Sequence, residues 1–457
     1  MTNHHESRRR RGRSGAAAIC HSLESLELRQ MMTAVDPAAV YSAYVTAAYH
    51  DVLGRGADAA ALDFWTQASQ LNFARLPLAE TLTHSAEYSA NLVRQDYQQV
   101  LGRAPEAGAS AYWTAQLQRG LSDEQFAAVL LASDEFYASS GGDNASWLSA
   151  LYQQALGRSP DAAGAAYWND RLASGASRLE TALAIAAGSE HARREVAADF
   201  QHYLGRPADE SALSTFASQL TTSLSDEEFI ARLVATDEYF ERQTGVSPTV
   251  VPVASPFDTA MTPAIASQLK QQPPDVLFLG DSITWGWQTF GATAWNQFYG
   301  SRNAANAGVP ADTTQNVLWR LDQYDFTTVH PKLAIVAIGT NNLGVDSPQA
   351  ITAGVAAIVD KLHQASPATK ILVLGIFPRG LAPSDTMRLY SAAANQTTSQ
   401  LADNQTVFYL DLASTFLRSN GSLNTDLFLA DAEHLNAKGY QAWANAMENT
   451  VSALLKS

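Results

Sequence analysis

Two rhythms of apolar and polar residues divide the 457-residue chain. From 36 to 243 the apolar positions recur at helical spacing: in the stretch 41–52, Val45, Tyr49 and Val52 share one face. Asp36-Pro37 sets a cap residue before a proline at the first helical position. From 264 onward, short β-prone apolar runs alternate with helix-length stretches. The pattern predicts strands over 275–279, 303–307, 332–338, 370–374 and 406–410. It predicts helices after Asp312 (containing Val317, Leu318 and Leu321, with Asp312 as cap), over 349–364, near 386–402 and over 435–456. Strands separated by helices argue for an α/β fold, a parallel sheet covered on both faces, and five strands suggest a flavodoxin-like order. Between the two rhythms, TGVSPTVVPVASPFDTAMTP at 244–263 holds four prolines with several serines and threonines and reads as a linker.

The helical half is internally repetitive. LGR recurs at 53–55, 101–103, 156–158 and 204–206, at spacings of 48, 55 and 48 residues. Three residues after each arginine stands an acid: Asp58, Glu106, Asp161, Asp209. Ten residues after it stands a large aromatic: Trp65, Trp113, Trp168, Phe216. A tail of the form S/T-x-E-Y/F recurs at 85–88, 133–136 and 236–239, with a shortened copy at 189–191. Four units of three helices follow, all-α, with the acid capping the second helix. Calcium binding by these acids is the weaker reading, because each stands one residue before a helix and none lies in a D-x-D-x-D-G loop. The aromatics read as core packing rather than as a sugar-stacking stripe. The array resembles a bacterial repeat of unassigned function with the signature LGRxPDxxGxxYW, often carried by secreted and surface-layer-type proteins. No catalytic constellation recurs in it, so a spacer or attachment module over 36–243 is expected, with a cell surface or polysaccharide as its partner.

Composition narrows the class. Hydrophobic content of 46% with 16% charge fits a globular chain, and a net charge of −15 argues against nucleic acid as the main partner. No stretch approaches the ~18 apolar residues of a membrane helix. The single cysteine, Cys20, excludes an internal disulfide and a cysteine metal site. In residues 1–35, a basic cluster of Arg8, Arg9, Arg10, Arg11 and Arg13 precedes only a short apolar run, 16–20. HSLESLELRQMMTA, 21–34, resembles the motif LExLExRxLL of many predicted bacterial surface proteins. The resemblance implies an export tag and a place outside the cytoplasm; a basic tail on a cytosolic protein is the alternative.

The candidate chemistry starts at DVLFLGDSITWGW, 275–287. An apolar strand runs into Gly280, which permits a sharp turn, and Asp281, Ser282 and Thr284 are good helix starters. A serine on such a turn stands above a sheet edge beside helix-start N–H groups, which suits a nucleophile whose oxyanion needs donors. The pattern is G-D-S, not G-x-S-x-G. It is followed by NAGVPADTTQNVLWRL at 306–321, AIGTNN at 337–342, GIFPRG at 375–380 and DAEHLNAKGY at 431–440. With these blocks in this order, 264–457 resembles the SGNH (GDSL) hydrolases, and among them bacterial relatives of the catalytic subunits of platelet-activating factor acetylhydrolase.

A serine needs a base. Of the histidines in this half, His330 and His363 read as surface residues, while His434 lies three residues after Asp431, a spacing that lets the carboxylate orient the imidazole. The resemblance implies a catalytic Ser282, His434 and Asp431, with an oxyanion hole from Ser282 N–H, the Asn341 amide and a main-chain N–H at Ala311. The family carries glycine where Ala311 stands, so a positive φ there would cost energy. Trp285 and Trp287 could wall an acyl site, with core packing an equal reading for one of them. Arg379 could orient a polar substrate, although a loop ion pair is the more ordinary reading. No metal or organic cofactor is required. The expectation is a serine esterase for short acyl groups, acetyl first, acting on acetylated polysaccharide or a lipid ester. The alternative is a surface-attachment protein with a weakened hydrolase domain.

Overall fold

The computed structural model describes residues 36–70 and 75–456, so the export motif lies outside the described residues. The chain forms two compact units: Tyr41–Pro248 with Val345–Ala350, and Thr249–Gly344 with residues 351 onward.

In the helical unit the LGR motif has a physical reading. Its glycines, Gly54, Gly102, Gly157 and Gly205, all end a helix with φ between 69° and 71°, a left-handed stop that costs glycine little. The arginine that follows reaches the glutamate 32 residues on: Arg55 to Glu87, Arg103 to Glu135, Arg158 to Glu190 and Arg206 to Glu238. Nε and Nη2 address the two carboxylate oxygens separately, as at Arg55, with 2.5 and 2.7 Å. Each guanidinium also lies over a ring, Tyr49, Tyr97, Tyr152 or Phe200, at 5.3–5.5 Å. The expected caps form at Asp58, Asp161 and Asp209, whose carboxylates accept from Ala61, Gly164 and Ala212 N–H. Glu106 differs: it makes no side-chain cap and pairs with Arg103 at 2.8 Å, because its longer side chain reaches the arginine. Three of the four repeated aromatics pack inward: Trp113 against Phe126, Phe216 against Phe229, and Trp168 Nε1 on Tyr152 Oη at 3.0 Å, while Trp65 meets the ring of its exposed neighbour Phe64.

The third helices pair out of chain order. Arg75–Thr83 packs on Asp226–Val234, and Asp123–Leu131 on Arg178–Ala186, so the first unit meets the fourth and the second meets the third. Arg75 pairs with Asp237 at 2.7 Å, and Arg178 pairs with Asp134 in the equivalent place. Units two and four bring acids together: Asp123 lies in electrostatic reach of Glu227, Asp226, Asp96 and Glu124. Burial pushes Asp96 up to about 7 and Asp199 and Asp226 up to about 8, with Glu195 adding to each.

The second unit is a five-stranded parallel sheet: β1 (Val276–Gly280), β2 (Ala304–Gly308), β3 (Leu333–Ala337), β4 (Lys370–Leu374) and β5 (Val407–Leu410), in the order β2-β1-β3-β4-β5. This is the flavodoxin-like order, whose switch point lies between β1 and β3. Successive β1 residues serve opposite cores. Val276 and Phe278 join Trp287, Tyr299, Tyr440, Trp443 and Met447, while Leu277 and Leu279 join Val317, Leu318, Val336 and Ile358. Each fully buried apolar side chain stabilises the fold by about 1.5–3 kcal/mol. Gly280 pairs with Gly308 and Ala337, so the three strand ends nearest the switch point are level.

Two expectations need correction. Much of the linker is structured: its second half opens helix Pro256–Gln271, where Ser255 and Asp258 form a capping box with Pro256 at the first position. Asp312 does not cap the following helix. Thr313 is the residue before Thr314–Leu321, while Asp312 is fully buried and paired with Arg320 at 2.6 Å.

Candidate active site

The GDS turn is built by steric necessity. A Cβ on Gly280 would overlap Thr284 and the Ala337 carbonyl, so β1 can close against β3 only with glycine there. Asp281 then caps the short helix Ser282–Trp285, its carboxylate accepting from Ile283 N–H at 2.9 Å. Burial pushes Asp281 up to about 6, opposed by the Ile283 hydrogen bond. The buried Tyr440 hydroxyl donates to the Ile283 carbonyl at 2.7 Å and holds the turn from the C-terminal helix Ala437–Lys456.

Ser282 Oγ lies 2.8 Å from His434 Nε2, across 152 residues of chain. His434 Nδ1 lies 2.9 Å from Asp431 Oδ2. The other oxygen, Asp431 Oδ1, accepts from Glu433 and His434 N–H, both at 2.9 Å, and Ala432 turns the chain with φ 56°. Partial burial would raise the Asp431 carboxyl, but those two amides and the imidazole outweigh it and hold the group below its ordinary value. An ionised Asp431 can only accept, so the hydrogen-bond network assigns the imidazole proton to Nδ1 and leaves the Nε2 lone pair facing the serine. A serine in that position can pass its proton to the imidazole as it attacks a carbonyl.

The polar groups expected opposite the serine lie on two loops at the strand ends. Asn341 sits in the turn Thr340–Asn342, entered through Gly339 at φ 116°, and its Nδ2 donates to the Asp312 carbonyl at 2.8 Å. The second amide hydrogen of Asn341 remains for a ligand. Ala311 is exposed and has φ 64°, one of four positive-φ non-glycine residues among the described residues.

The remaining candidates divide. Trp287 is 1% exposed and packs on Tyr440 and Trp443 with ring centroids 4.8 and 4.7 Å away; it belongs to the core and does not wall an acyl site. Trp285 is half-buried beside the serine. Arg379 pairs with Glu433, the neighbour of His434, so its charge is already engaged in a loop ion pair. Among the described residues, no cluster of His, Cys, Asp or Glu could hold a metal ion, and no helix is long and apolar enough to cross a membrane. Sequence reasoning missed Arg320 and Asp258, which lie buried behind Asp312; the only signal for Asp258 was the S-P-x-D run inside an apparent linker.

Residues 278–442 match the model of the GDSL-like lipase/acylhydrolase family. Residues 78–139 and 127–195 match a domain of unknown function, DUF4214. Subunit alpha2 of platelet-activating factor acetylhydrolase IB from Rattus norvegicus is 33% identical over 189 residues, which is 41% of this chain and 80% of that protein. Subunit alpha1 from Homo sapiens is 30% identical over 187 residues, 41% of this chain and 79% of that protein. A solved catalytic mutant of an acetylxylan esterase from Geobacillus stearothermophilus aligns at 16% identity and a TM-score of 0.33, over 39% of this chain and 94% of that one. With its match to the family model and its acetylhydrolase IB relatives covered to about four fifths, the chain belongs to the GDSL-like lipase/acylhydrolase family and is an ester hydrolase.

Proposed function

We propose that the chain hydrolyses short-chain esters, acetyl first, through an acyl-enzyme on Ser282. The observation that carries this reading is the chain of contacts from Ser282 Oγ to His434 to Asp431, at 2.8 and 2.9 Å. Ser282 Oγ bonds to the ester carbonyl carbon while His434 Nε2 takes its proton. The carbonyl oxygen becomes an oxyanion facing Ser282 N–H, Ala311 N–H and Asn341 Nδ2. Collapse expels the alcohol, which leaves with the proton from His434. Water, deprotonated by the same imidazole, then attacks the acyl-serine and releases the acid.

The acetyl preference is supported by the acetylhydrolase relatives. The export-type motif at 21–34 and the repeats over 36–243 support a place outside the cytoplasm, with acetylated polysaccharide or a lipid ester as substrate and the repeats as an attachment module. One observation favours a second reading, a weakened hydrolase on an attachment protein: the left-handed alanine at 311.

The test is release of p-nitrophenol from the acetate, butyrate and octanoate esters by wild type and Ser282→Ala. Turnover on acetate that disappears in the variant is the expected result. A folded wild type without turnover on any of the three would sink the esterase reading and favour the second.

A further inference from the structure

Behind the oxyanion-facing loops lies a charged cluster with no access to solvent. Arg320, Asp258 and Asp312 are each 0% exposed. Arg320 Nε donates to Asp312 Oδ2 at 2.7 Å and lies 3.2 Å from Asp258 Oδ1. Nη1 donates to the Ala307 carbonyl at 2.6 Å and to Tyr324 Oη at 2.7 Å. Nη2 reaches Asp312 Oδ2 at 2.6 Å and the Gly280 carbonyl at 3.2 Å. Asp258 Oδ2 accepts from Ser255 N–H at 2.8 Å.

Two of these partners, Gly280 and Asp312, belong to main chain that carries, or is bonded to, an oxyanion-facing donor. Gly280 stands two residues before Ser282, and its carbonyl also accepts from Val309 N–H at 3.0 Å. Asp312 follows Ala311 directly, and its carbonyl accepts from Asn341 Nδ2. A single guanidinium therefore ties the serine turn to the Ala311 loop, and through Asp312 to Asn341.

The charges do not balance as written. One buried cation faces two buried carboxyl groups, and an uncompensated interior charge is costly. Asp258 Oδ1 and Asp312 Oδ1 are sealed from solvent and accept no N–H or O–H among the described residues. A proton between the two carboxyl groups would satisfy both oxygens and bring the cluster to neutrality. Burial pushes the Asp312 carboxyl well above its ordinary value; Arg320 opposes this, and the charge and hydrogen bond of Asp258 add to it. The other titratable groups within reach are Arg320 and Tyr324.

We propose that Asp258, Arg320 and Asp312 form a positioning network for the oxyanion-facing main chain, kept neutral by one proton held between the two carboxyl groups. Asp258 comes from the helix that precedes the sheet, so a residue outside every family motif helps to set the site. The turnover readouts rest on the esterase reading; a third does not. In the full chain, kcat and KM for p-nitrophenyl acetate are compared among wild type, Asp258→Ala, Asp258→Asn and Arg320→Lys, well below each melting temperature. Hydrogen–deuterium exchange is followed in residues 304–313.

Asp258→Ala is expected to lower kcat about tenfold or more with KM nearly unchanged, and to speed exchange in 304–313. Asp258→Asn, which still donates to Asp312, is expected to restore most of kcat and to abolish any fall in kcat with rising pH that comes from departure of the shared proton. Arg320→Lys lowers kcat in the same way if it folds; Asp258→Asn keeps the test available if it does not. Wild-type exchange and wild-type kcat in Asp258→Ala would overturn the proposal, as would an alkaline fall retained unchanged in Asp258→Asn. A wild type without turnover sinks the esterase reading instead, and exchange in 304–313 then decides on the network alone.

Discussion

The Asp312 carbonyl accepts a hydrogen bond from Asn341 Nδ2 at 2.8 Å, so two loops that follow different strands act as one piece. Asn341 spends one amide hydrogen on that bond and keeps the other. Replacing it by alanine removes a donor and frees the loop at the same time. Asn341→Ala should lower kcat on p-nitrophenyl acetate by about 10²-fold or more while KM changes little, as steady-state kinetics would show. A change in KM alone would mean that the amide binds ground-state substrate only.

Ala311 carries φ 64°, where a Cβ costs about 1–2 kcal/mol. Ala311→Gly keeps the backbone N–H and removes that cost. The variant should melt about 2–4 °C higher, because about 1 kcal/mol moves a domain of this size by that much, and its kcat should not fall. Calorimetry beside the ester assay checks both; a lower melting temperature would show that the methyl group packs usefully.

Trp285 and Trp287 should separate cleanly. Trp287 is sealed in the core against Tyr440 and Trp443, so Trp287→Ala should cost about 3–5 kcal/mol of stability. In the fraction that stays folded, the ratio of acetate to butyrate turnover should match wild type. Denaturant melts and the ester series together test this, and an altered acyl preference in folded Trp287→Ala would return the residue to the site.

The acids of the helical unit should give an unusual pH trend. Asp96, Asp199 and Asp226 are held at about 7, 8 and 8, against an ordinary aspartate value of 3.8. Below about pH 4, folded and unfolded chains both hold these protons and no penalty arises. As pH rises, the unfolded chain ionises first, and the folded unit loses stability until about pH 8. Urea melts followed at pH 5 and pH 8.5 should give the lower midpoint at pH 8.5. An equal midpoint would mean that solvent already screens the cluster.

Much of this architecture could be read from the chain. The five strands fall within a residue or two of their apolar runs because a sheet buried on both faces writes uninterrupted hydrophobic stretches. Ser282, Asp431 and His434 were visible for another reason: a turn, a D-x-x-H spacing and the family blocks converge on them. What escaped was what only distance in sequence hides. The LGR motif and the S/T-x-E-Y/F tail were seen as separate repeats, yet Arg55 and Glu87, and their three counterparts, are the two ends of one ion pair. Asp312 resembled a helix cap because caps and buried counter-ions use the same side chain. The run through Pro256 resembled a linker because proline marks both a broken chain and the first turn of a helix.

The out-of-order pairing of the third helices makes the repeats an even-numbered object. An open solenoid can gain or lose one unit and merely change length. Here each unit's third helix covers that of one specific other unit, so deleting a single unit would leave an apolar face bare on its mate. Length variation that preserves this packing comes in steps of two, and a half-sized version would consist of the second and third units, whose mutual partners are adjacent in the chain.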